Sequence, residues 1–210
     1  MSWIKKHGEG LLKILELLEN SNQEDVFSLI KKIEKESRGE LGVESVKFFS
    51  RPDFIQSLIN IGNKYVLDEK VLEYVIRTIT TISKRCSLEM QKSQGVEIFE
   101  LKNQNTYDFL FKHKDSSNKK IKTLILYTIP FFPQFDMYSQ KWGYILSIPE
   151  TSPKRDSMIV FRWIIEYRIA EIPSNLKDLV IDIFKKFIKK QDLDIDTHQS
   201  YINVIKKLSD

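Results

Sequence analysis

The side chains that most often carry chemistry are few in this chain, and their spacing does not gather them. Three histidines, His7, His113 and His198, lie in separate segments, none four residues from another and none within a carboxylate cluster. A zinc site needs several nitrogen or sulfur ligands at short, fixed spacings, so no metal signature forms and solvated or turn histidines are expected. Cys86 is the single cysteine, which excludes an internal disulfide and any CxxC pair, fits a reducing compartment, and suits a small buried apolar residue. The phosphate-cradling GxGxxG and GxxxxGK[ST] patterns and the GxSxG nucleophile elbow are absent. Asp192, Asp194 and Asp196 alternate as in a calcium loop, yet the loop's glycine and terminal glutamate are missing. They read better as a turn and N-cap before the last helix. With no nucleophile, base and orienting group to nominate, the chain reads as a non-enzyme without catalytic residues, metal or cofactor.

Binding surfaces are the alternative. Lys185, Lys186, Lys189 and Lys190 fall on one flank of a segment whose other flank is Val180, Ile181, Phe184, Phe187 and Ile188. This is a solvated helix face, with an acidic partner or an anionic lipid as the functional reading. The run Phe131-Phe132-Pro133-Gln134-Phe135-Asp136-Met137-Tyr138, with Trp142 and Tyr144, reads as core packing, with an exposed hot spot as the alternative. The 33 basic and 29 acidic residues are interspersed, giving +4 without a basic arm, so nucleic acid is not an expected partner. Nowhere do 18 apolar residues run together, and Met1-Ser2-Trp3-Ile4-Lys5-Lys6 leads into charged residues. The expectation is a cytoplasmic chain with neither a transmembrane segment nor a secretion signal.

The elements that position these residues are helices. The 7 glycines and 6 prolines fall between apolar-periodic segments. Over 69–85, Val71, Leu72, Val75, Ile76, Ile79 and Ile82 recur at spacings of three and four, with Asp68 and Glu69 at the positive end. The same reading pairs 9–19 with 24–36, 53–66 with 69–85, and 104–113 with 118–131, the last ended by Pro130 and Pro133. A fourth unit joins the aromatic stretch 134–148 to 155–171, and a fifth pairs 174–190 with 197–208. Second helices therefore begin near 24, 69, 118, 155 and 197, at gaps of 45, 49, 37 and 42 residues. Such periods belong to armadillo and HEAT repeats, so residues 1–210 read as a single domain, a right-handed α-solenoid of about five repeats. Segments 43–49 and 87–94 supply the extra first helix that favours armadillo units, and a plain helical bundle is the alternative.

The opening Ser2-Trp3-Ile4-Lys5-Lys6-His7-Gly8-Glu9-Gly10-Leu11-Leu12, running into Ile14-Leu15-Glu16-Leu17-Leu18, resembles the start of the formin homology 3 region of Diaphanous-related formins. The order that follows is similar too: a helix from Asp25 to Glu36 ending in Arg38-Gly39, then Leu41-Gly42-Val43-Glu44-Ser45-Val46, then the pair 53–85. Lys120-Ile121-Lys122-Thr123-Leu124-Ile125-Leu126-Tyr127-Thr128-Ile129 resembles the inner helix of the family's third armadillo unit.

The resemblance implies a diaphanous inhibitory domain, a non-catalytic regulator of actin assembly at the cytoskeleton or cell cortex. Its partners would be the C-terminal autoregulatory helix of the same protein, a Rho-type small GTPase that displaces that helix, and actin only indirectly. On the implied concave groove, Ile125, Thr128 and Ile129 would be apolar anchors and Lys122 would face an acidic end of the ligand; core packing between repeats is the other reading of Ile125 and Ile129. Where the family has two GTPase-contacting asparagines this chain has Lys35 and Glu36, which become the candidate GTPase contacts. The family's helical GTPase-binding segment, which precedes the Ser-Trp motif, is not in this sequence. An armadillo or HEAT scaffold of another family, binding an unrelated peptide or protein, is the alternative function.

Overall fold

The computed structural model describes residues 8–20, 23–38, 48–49, 51–92, 104–151, 154–190 and 193–209. Among these, all regular structure is helical. The chain divides into two compact units, Met1–Met137 and Tyr138–Asp210.

In the first unit the helices are α1 (Glu9–Asn20), α2 (Gln23–Arg38), α3 (Pro52–Lys64), α4 (Glu69–Lys92), α5 (Gln104–Lys112) and α6 (Lys119–Leu126). Their starts follow from local chemistry. Pro52 opens α3, where its missing N–H costs nothing. Asp68 caps α4 by accepting from the amides of Lys70 and Val71 at 3.0 and 3.1 Å, and Asn118 caps α6 through Lys120 and Ile121. Two sets of contacts then order the helices: α1 packs on α3 and α3 on α5, while α2 packs on α4 and α4 on α6. First helices thus lie against first helices and second against second.

From Val71 to Ser83 helix α4 is buried on most sides. The expected stripe of Val71, Leu72, Val75, Ile76, Ile79 and Ile82 is buried, and so are Glu73, Thr78, Thr80 and Ser83. Burying a hydroxyl without a partner is costly, and two of these resolve it locally. The Thr78 hydroxyl donates to the Tyr74 carbonyl at 2.8 Å and that of Thr80 to the Arg77 carbonyl at 3.1 Å. Glu73 is held by Arg77 at 2.6 Å. Each fully buried Ile or Val stabilises by about 1.5–3 kcal/mol, so α4 holds a large share of this unit's core.

Close packing also explains one glycine. A Cβ on Gly62 of α3 would stand 2.6 Å from the Phe109 ring of α5 and 3.1 Å from Val75 Cγ1 of α4. Only a glycine lets the three helices approach this closely.

Two expectations are corrected here. Residues 87–92 do not form a separate first helix but continue α4, since no glycine or proline interrupts the run. The helix expected over 118–131 ends at Leu126, and 129–131 and 133–137 are 3-10 turns. Pro130 lacks an N–H and its ring disfavours the α conformation at Ile129, so the backbone tightens to a Thr128 N–H to Ile125 carbonyl bond of 2.9 Å. The aromatic run packs inward, as expected, at Phe132 and Phe135, while Met137 is exposed. Of segment 43–49 only 48–49 lie among the described residues; they are helical, and Phe48, Phe49 and Phe54 form an aromatic cluster with centroids 5.4–5.6 Å apart.

The second unit comprises α7 (Lys141–Leu146), a 3-10 turn Ile148–Glu150, α8 (Lys154–Tyr167), a 3-10 turn Ile169–Glu171, α9 (Ser174–Lys190) and α10 (Ile195–Ser209). Helix α8 packs on the 148–150 turn and on α10, and α9 packs on α10. A chain of rings joins them: Phe161 to Phe184 at 5.3 Å, then Tyr201 against Phe184 and Phe187 at 5.5 Å each. Asp194 caps α10, accepting from the Thr197 amide at 2.8 Å, which is the role expected of the alternating aspartates. Among the described residues Arg168 is the largest fully buried side chain, neutralised by Glu171 at 2.8 Å, and Lys141 reaches the same carboxylate at 3.2 Å.

Candidate protein-binding surfaces

The groove expected on α6 is not a surface. Ile125, Thr128 and Ile129 are each 0 % exposed, and the last two lie beyond the end of the helix. The Thr128 hydroxyl is turned back to the Leu124 carbonyl at 2.7 Å. These three residues belong to the core. Lys122 alone of the four is exposed.

Lys35 and Glu36 occupy the last turn of α2, Lys35 exposed and Glu36 half-buried. Beside them Glu34 is fully buried. Arg38 Nε lies 2.8 Å from its carboxylate, yet neither oxygen accepts a well-directed hydrogen bond, so the charge is compensated by proximity alone. The pair Lys35 and Glu36 therefore sits on a turn fixed by an internal ion pair, with Lys35 accessible to a partner. Residues 1–7 and 39–47, which carry much of the formin resemblance, lie outside the described residues, as does the side chain of Cys86.

Of the histidines, His198 is exposed, and His113 is half-buried with its ring edge-on to Phe109 at 5.2 Å. Burial, reinforced by the neighbouring Lys112 charge, holds its pKa below the usual value. His7 lies outside the described residues. Among the described residues no group of three or more His, Cys, Asp or Glu is placed to hold a metal ion, and no helix is long and apolar enough to cross a membrane.

A cleft that spacing along the chain did not reveal lies in the second unit. It opens between the 148–150 turn, the start of α8 and the second half of α9, with a volume of about 200 Å³. Met158, Phe187, Ile183 and Pro149 make its apolar floor and walls; Glu150, Lys154 and Lys186 stand around it. Helical geometry explains the membership. Lys154 and Met158 are four apart on α8, and Ile183, Lys186 and Phe187 occupy one stripe of α9. Each half was visible as a periodic pair, but their meeting depends on how α8 and α9 fold onto one another. Lys154 Nζ stands 3.6 Å from the Glu150 carboxylate, an exposed pair of small worth. Lys185, Lys186 and Lys189 are exposed along α9 and make no ion pair with any described residue.

The chemistry of this cleft is that of contact rather than reaction. Its floor offers no titrating group, and about 200 Å³ lies below the roughly 300–1,000 Å³ typical of drug-sized ligand sites. An apolar cavity of about 150 Å³ holds one benzene, so the cleft matches a single large side chain. No family model, curated protein or solved structure matches this chain.

Proposed function

We propose that this chain is a non-catalytic helical module that binds a segment of another protein. The observation that carries the reading is the cleft of the second unit, sized for one side chain, apolar beneath and charged around its mouth. Such a pocket beside a polar rim is the anatomy of an anchoring point for a partner residue. The layered order of α1, α3, α5 and α2, α4, α6 supports reading the first unit as stacked hairpins of an α-solenoid. Selection of a diverse displayed peptide library on the immobilised full chain tests the proposal. Enriched peptides should bind in titration and lose affinity when Ile183→Trp fills the cleft. A library that yields nothing above scrambled controls would refute it.

The narrower form of this reading is a regulatory domain like that of Diaphanous-related formins, binding a C-terminal autoregulatory helix and a Rho-type GTPase to control actin assembly. Its support is the run from Ser2 to Leu18 and the order of the first two helix pairs, with Lys35 and Glu36 as the GTPase contact. The α6 groove forms no part of it. Locating the gene's reading frame beyond residue 210 is the first check, since proline-rich and actin-assembly segments must follow there. Titration with a GTP-loaded Rho-type GTPase is the second: Lys35→Glu should weaken binding, and absence of binding would leave only the broader reading.

A further inference from the structure

Resting on the protein-binding reading, we propose that the cleft between α8 and α9 takes one bulky apolar side chain carried by an acidic peptide. The floor defines the inserted group. Met158 and Phe187 are 1 % and 6 % exposed, and with Ile183 and Pro149 they present carbon to the opening. A polar side chain entering there would lose its water without a partner, whereas Leu or Phe would gain burial.

The rim defines the flanks. Lys186 borders the opening, and Lys185 and Lys189 continue the positive edge along the exposed face of α9. None of the three is neutralised by a described residue; in sequence the acids closest to them are Asp182, one turn before Lys185 and Lys186 on the same helix, and Asp192, three residues after Lys189. Lys154 faces the cleft from the other side, partly compensated by Glu150. An anionic segment laid across the opening would meet Lys186 directly and would compete with Glu150 for Lys154. A basic segment would meet two or more uncompensated ammonium groups.

The same lysines do not make α9 a membrane-surface helix. Such a helix turns its apolar face outward to the acyl boundary, but Val180, Ile181, Phe184 and Phe187 are at most 8 % exposed and face the unit's own core. What is left to the outside is a pit beside charges, which fits a protruding side chain.

The experiment uses the full chain and fluorescence anisotropy of short labelled peptides: an acidic host with one central Phe, the same host with Ala in its place, and a lysine-rich host with Phe. The acidic Phe peptide should bind, and replacing Phe by Ala should weaken it roughly ten- to hundredfold. Lys186→Glu should weaken it roughly three- to tenfold, and the effect should shrink at high salt. Glu150→Gln should tighten binding about twofold by freeing Lys154, a gain that loss of folding cannot imitate. Equal binding of the Phe and Ala peptides, or retention by anionic phospholipid vesicles in place of peptide, would overturn the proposal. A preference for the lysine-rich host would overturn it too while leaving the broader protein-binding reading intact; failure of every peptide, including library-selected ones, would remove that reading as well.

Discussion

Replacing Gly62 by alanine sets two known effects against each other. In a helix interior alanine is favoured over glycine by about 0.8–1.0 kcal/mol, so an isolated α3 would gain stability. In the folded chain the new methyl would lie 2.6 Å from the Phe109 ring and 3.1 Å from Val75 Cγ1. Carbon atoms pack at about 3.5–4.0 Å, so the ring must withdraw by about 1 Å. Phe109 is 4 % exposed and its ring already rests against His113, so it has little room to retreat. Overpacking of this kind costs about 1–3 kcal/mol, which leaves a net loss of about 1 kcal/mol for Gly62→Ala. The decisive comparison is with Phe109→Leu, whose shorter side chain vacates the contact. In that background Gly62→Ala should turn stabilising, giving a coupling of about 1–2 kcal/mol between the two positions. Urea denaturation of the four proteins, followed by helix circular dichroism, measures it. If Gly62→Ala stabilises the otherwise unaltered chain by the full helix-propensity gain, the close approach of α3 and α5 is wrong, and with it the layering on which the stacked-hairpin reading rests.

Asn118→Ala removes the cap that serves the Lys120 and Ile121 amides and should cost about 1 kcal/mol by the same denaturation assay, with Asn118→Asp retaining most of it. Tyr201→Phe deletes a hydroxyl that is buried without a partner, its pKa pushed up to about 12 by burial, and should leave stability unchanged or raise it by up to about 1 kcal/mol; a marked loss would expose a missed hydrogen bond. The depressed pKa of His113 makes the folded chain disfavour its protonation. Stability linked to it is complete above the unfolded value of about 6.5 and is lost as pH falls from there through the folded value, so His113→Phe should flatten that step in a pH series of urea midpoints. Asp194 has a lowered pKa because the Thr197 amide and hydroxyl donate to it, so its contribution is present above the ordinary aspartate value and lost on acidification below about 3.9; Asp194→Asn should shift the acid limb of the unfolding curve.

The helices were legible because glycine and proline punctuate them and their apolar residues keep a period near 3.6. The α4 stripe is the clearest case, yet its full burial was hidden, because Thr78 and Thr80 count as polar until their hydroxyls are seen to bond the preceding turn. The end of α6 is hidden for a different reason: Pro130 acts on the residues before it, so the helix stops at Leu126, ahead of the proline. The expected groove is not a surface because periodicity identifies an apolar face without saying whether a neighbour covers it, and Ile125 is fully buried on a helix that packs against α4. Conversely the cleft needed Met158 and Phe187 to meet across two helices, a pairing set by packing and invisible to local spacing.

The enclosure of α4 also bears on how the chain opens. Helix α4 packs against α2, α3 and α6, so deuterium should enter its buried stretch from Val71 to Ser83 last among the described elements of its unit. Outer helices can then fray while the middle strut keeps its shape, and rigidity and compliance are assigned to different layers of one small unit.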